Sequence, residues 1–89
     1  MRAIVTVIGK DRVGIIANVC SLLAQSGVNI LDISQTILQD YFTMIMLVDI
    51  SGCSFPFDEL AKTLKTRGEE QALSIRIQRE DIFEAMHRI

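Results

Sequence analysis

The residues of this chain whose types and spacing suit chemistry lie together in Gly9-Lys10-Asp11-Arg12-Val13-Gly14. An apolar segment, Ala3 to Ile8, precedes them and a helix-period pattern follows, so they form a charged strand-to-helix turn. The first N–H groups of a helix have no partner inside it, so such a turn aims several donors at whatever sits above it. Glycines at 9 and 14 allow close approach of a ligand, or a backbone conformation that other residues resist. A small anion or zwitterion suits the turn. The same glycines also fit a plain tight connection between packed elements, and Asp11 also fits a helix cap that accepts the first free N–H groups.

The remaining chemistry-bearing residues are dispersed. Cys20 and Cys53 stand thirty-three positions apart without CxxC or Cys/His ligand spacing, which suits reduced, structural thiols in a cytoplasmic protein. His87 is the single histidine and has no carboxylate or cysteine partner nearby in sequence, so it reads as a surface or interface residue and not as a metal ligand or general base. No nucleophile–base pair can be assembled, and neither a catalytic residue, a metal site nor a cofactor is expected. The net charge of -2, with both signs mixed along the chain, offers no basic face to a nucleic acid. No apolar run reaches the roughly 20 residues of a membrane-spanning helix, and Met1-Arg2 enters a strand pattern without a signal peptide's features.

The elements that must position the turn follow from periodicity. Arg2 to Ile8 is apolar or β-branched on both faces, which predicts a central strand covered on both sides. From Val13 to Ser26, Ile15, Ile16, Val19, Leu22 and Leu23 recur at three and four, one helical stripe, and Gly27 supplies a left-handed cap. Val28–Leu38 and Tyr41–Ile50 read as strands joined at Gln39-Asp40, a hairpin turn weakly encoded for its length. On the third strand Phe42, Met44, Met46, Val48 and Ile50 share one face, and Tyr41, Thr43, Ile45 and Leu47 the other. That second face needs either a partner or the chain's own terminal segment to cover it.

Phe55-Pro56-Phe57 opens a second helix, with proline in its first turn and an apolar stripe of Phe57, Leu60, Ala61 and Leu64, running to about Gln71. Gly68 on the same face marks either close packing or a weak point. Ala72–Gln78 alternates as a fourth strand. Residues 80–89 form a short amphipathic tail with Ile82, Phe83, Met86 and Ile89 on one stripe, which must dock to be stable. The order predicts an α+β, ferredoxin-like βαββαβ sandwich: a four-stranded antiparallel sheet in spatial order 4-1-3-2, two helices on one face, and a short C-terminal helix. One domain over 1–79 followed by a docking tail over 80–89 is the expected organisation, and at 89 residues association with a partner is a natural source of further burial.

Asp11-Arg12-Val13-Gly14-Ile15-Ile16, followed by Gly27-Val28-Asn29-Ile30, resembles the signature of the ACT domain, and Phe42, Met44 and Met46 resemble that family's third strand. The tail is similar to that of a small group of free-standing ACT proteins that carry no enzyme or DNA-binding domain. The resemblance implies regulation, not catalysis: pairing of two copies and capture of an amino acid at their interface. The residues it assigns to the ligand are Asp11, Arg12, Val13, Gly14, Ile15 and Asn29. Amide groups near Val13, Gly14 and Ile15 suit a carboxylate, and Asp11 and Asn29 can accept from an ammonium group. Two positions depart from the pattern. Val13 replaces the common proline, and Gly9 stands where serine-regulated relatives carry histidine, so serine is not the expected ligand. The alternative is a ligand-free dimerisation or docking module for a metabolic enzyme or regulator.

Overall fold

The computed structural model describes residues 1–10 and 13–82. Its elements are β1 (Arg2–Lys10), α1 (Ile15–Gln25), β2 (Asn29–Leu38), β3 (Tyr41–Asp49), α2 (Phe57–Glu70) and β4 (Leu73–Arg79). The sheet order is β2-β3-β1-β4, antiparallel throughout, the ferredoxin-like arrangement expected from the sequence. Both helices pack on one face. There the alternate residues Ala3, Val5 and Val7 of β1, Phe42, Met44, Met46 and Val48 of β3, and Leu73, Ile75 and Ile77 of β4 meet Ile15, Val19, Leu22 and Leu23 of α1 and Leu60 and Leu64 of α2. Period-2 strand residues and period-3.6 helix residues therefore close one core.

The helix ends account for two glycines. Val28 N–H donates to Leu23 O at 3.0 Å and Gly27 N–H to Ala24 O at 3.0 Å, the paired bonds of a Schellman stop. Gly27 sits at φ 80. Its backbone also lies against the loop after β3, since an added Cβ would stand 2.6 Å from Gly52 O. Gly68 of α2 faces Ile75 of β4, and a Cβ there would meet Ile75 Cγ1 at 2.8 Å, so close packing is its role. The hairpin turns at Gln39-Asp40 in the expected register, Leu38 opposite Tyr41, with Gln39 in the left-handed region at φ 55.

Three expectations change. β1 is central, but among the described residues only one of its faces is covered: Ile4 and Thr6 are half-buried on the other and Ile8 is exposed. Apolar β-branched residues suit any half-buried pleat, so their presence on both faces did not require two covers. Ile16 belongs to the predicted stripe but lies at its margin, 38% exposed. Pro56 precedes the first helical residue of α2 in extended backbone, at ψ 155, because it caps the helix from outside instead of opening its first turn. Of the tail, Glu80–Ile82 are helical, and the expected docking of residues 83–89 lies outside the described residues.

Candidate functional site

Gly14 caps α1 at φ 91, ψ 0. Among the described residues the nearest atom to an added Cβ is Asn18 Nδ2 at 3.8 Å, so conformation and not crowding calls for glycine there. Gly14 O accepts the Asn18 N–H at 2.9 Å and starts the helix. Among the described residues no side chain caps this end, and the first turn holds no acid. Among the described residues nothing offsets the partial positive charge of the leading α1 amides. Val13 is fully exposed beside them, and Asp11 and Arg12 lie outside the described residues.

A groove of roughly 200 Å³ opens against this turn. Gly14, Ile15, Ile16 and Ala17 form one wall, Gln35 and Ile37 of β2 the other, and Phe42 of β3 the floor. An anionic group suits the amide end, an apolar group the floor, and the Gln35 amide can donate or accept. Sequence reasoning placed Phe42 in the core and passed over Gln35 and Ile37. The signal was the alternation Ile33, Gln35, Ile37, which the pairing with Met46, Met44 and Phe42 puts on the helix side of the sheet.

The expected site residues divide into two groups. Val13, Gly14 and Ile15 stand together at the turn. Asn29 opens β2 opposite Asp49, which is itself opposite Arg2, whereas the turn follows Lys10, whose row runs through Tyr41 to Leu38. Those rows lie eight residues apart along β1, a separation of about 26 Å. One copy of the chain does not bring Asn29 to the turn.

The rest of the surface offers less. Asp49 has its carboxyl held below the usual carboxylate range, first by the Ser51 N–H and then by the Ser51 hydroxyl, with the Met1 ammonium 3.6 Å away. This closes the loop after β3 and activates nothing. Among the described residues no three His, Cys, Asp or Glu side chains gather as a metal site, and Cys20 and Cys53 are free and half-buried. No described helix is long and apolar enough to cross a membrane.

Comparison with known proteins agrees with the fold. A family profile described as "ACT domain" matches residues 2–78. A UPF0237 protein of Clostridium acetobutylicum is 56% identical over the full length of both chains. An ACT domain protein from Streptococcus pneumoniae superposes with a TM-score of 0.84 at 45% identity, covering 98% of each chain. A formyltetrahydrofolate deformylase from Pseudomonas syringae pv. tomato superposes with a TM-score of 0.78 at 26% identity, over 88% of this chain and 27% of that one.

Proposed function

This chain belongs to the ACT-domain family, one of regulatory ligand-binding modules, and on that premise we propose that it binds an amino acid where two copies meet along β2. The observation that carries the reading is the separation of Asn29 from the turn. Two β2 edges paired antiparallel about a two-fold axis place the Asn29 end of one strand beside the Leu38 end of the other, and so beside the other copy's turn. Each of two sites then draws its amides from one copy and its asparagine from the second.

The surface of β2 supports that pairing. It is an edge strand, and Ile33, Ile37 and Leu38 on it are 41%, 55% and 69% exposed. Edge strands that stay unpaired are normally blunted by charge, proline or shortness. β2 is ten residues long with Asp32 its only charge. Ile16 of α1 extends the apolar strip on the helix side. The ligand's carboxylate would take the α1 amides, and its ammonium would take Asn29 Oδ1 and the Asp11 carboxylate, with Arg12 kept as a further candidate from the resemblance. Gly9 stands where the resemblance puts a histidine in serine-regulated relatives and offers no side chain to a ligand, which supports a ligand other than serine.

A thermal-shift screen of the purified protein against the twenty amino acids tests the reading. Ligand at 100 times its dissociation constant stabilises the folded state by about 2.7 kcal/mol. Selective stabilisation that is lost in Asn29→Ala supports the site. A second reading, a ligand-free module that pairs or docks on a protein partner, draws on the apolar β2 edge alone. Dimerisation without any amino-acid response favours it.

A further inference from the structure

The lining of the groove between α1 and β2 carries information about what enters it. Ile16 on the α1 wall and Ile37 on the β2 wall keep 38% and 55% of their surface in water, and Phe42, 3% exposed, closes the floor. Strand pairing fixes this arrangement, because Ile37 lies opposite Phe42 and Gln35 opposite Met44 on the helix side of the sheet. An apolar group that fills a concave gap between aliphatic walls takes its own surface and theirs out of water together. Among the described residues Gln35 is the one polar side chain of the lining, and it is neutral. No described Asp, Glu, Lys or Arg lines the groove, so a charged group entering it would shed water without meeting a counter-charge.

Size narrows the class further. The groove holds roughly 200 Å³, and an apolar cavity of about 150 Å³ accepts a guest as large as benzene. About three or four aliphatic carbons therefore fit between Ile16, Ile37 and Phe42 while a carboxylate stays at the amide end. Glycine or alanine would leave those walls wet.

We propose that the side chain of the bound amino acid enters this groove, and that it is uncharged and aliphatic, of valine to methionine size. The inference rests on the amino-acid reading above and narrows it to one class of ligand. Calorimetric titration of the full chain with alanine, 2-aminobutyrate and norvaline tests it, since each step adds one methylene. The dissociation constant is expected to fall about four-fold per step. Serine binds more weakly than 2-aminobutyrate, and ornithine more weakly than norvaline, each pair differing by one polar group. Ala17→Leu, at an exposed helix position of the wall, removes the gain along the series. Gln35→Glu, also exposed, moves the ratio of affinities several-fold from norvaline toward ornithine, which a merely unfolded variant could not do. A flat series, tighter binding of serine or ornithine than of its partner, or a gain per methylene that survives Ala17→Leu overturns the inference and leaves the amino-acid reading standing. A lack of response to every amino acid overturns both.

Discussion

Gly14→Ala and Gly27→Ala separate two reasons for needing glycine. Both residues have positive φ, 91 and 80. An alanine held in the left-handed region costs about 1–2 kcal/mol. At Gly14 the new methyl meets no described atom closer than Asn18 Nδ2 at 3.8 Å, so the cost ends there. At Gly27 the methyl stands 2.6 Å from Gly52 O and 3.4 Å from Cys53 Cα, both backbone atoms that no rotamer change can move. Overpacking of this kind adds about 1–3 kcal/mol. The expected losses are therefore about 1–2 kcal/mol for Gly14→Ala and about 2–5 kcal/mol for Gly27→Ala. Urea unfolding followed by circular dichroism measures both, with unchanged m-values confirming that stability alone moved. Gly27 sits two residues before Asn29, so shifting its contact with Gly52 also displaces the start of β2. Equal losses at the two positions would refute the close-approach argument, since the conformational cost is common to both.

At the β2 edge, Ile37→Lys is expected to leave a folded protein that no longer pairs, read as monomer by sedimentation velocity, because a charge now guards the strand. Leu64→Ala, in the fully buried centre of α2, should lower unfolding free energy by about 2–5 kcal/mol in the same urea assay. The Asp49 carboxyl should titrate below the ordinary aspartate value of about 3.9 by carbon-detected NMR. Its folded pKa is depressed, so its contribution is present above the unfolded pKa and fades as pH falls through the folded one, and Ser51→Ala should bring the midpoint back up. Gly68→Ala sets about 1 kcal/mol of helix propensity against overpacking of about 1–3 kcal/mol on Ile75, and a net loss by thermal melting is expected.

The fold was legible because its signals are local and agree with one another. Leu22, Leu23 and Gly27 mark a helix and its end, and Phe42 to Val48 alternate so regularly that the buried face of β3 follows directly. The faces of β2 were less legible. A bulge between Ile30 and Asp32 shifts the pairing by one residue, and nothing in Asn29-Ile30-Leu31-Asp32 announces it. The turn at Gly14 was readable from its glycines, since positive φ and free helix amides are properties of the local chain. The wall of the groove was not, because Gln35 and Ile37 arrive there through tertiary pairing with β3. The distance from Asn29 to the turn is likewise a property of sheet topology, and spacing along the chain carries no trace of it.

In the proposed site one copy supplies the turn and the second supplies Asn29. Asn29→Ala and Gly14→Val protein, each unable to bind alone, are mixed, allowed to exchange subunits, and titrated calorimetrically with the amino acid found by thermal shift. Random exchange makes about half of the pairs mixed, and each mixed pair regains one intact site of its two, so binding should return to about one site in four. No recovery on mixing, with subunit exchange verified by mass, would contradict a shared site.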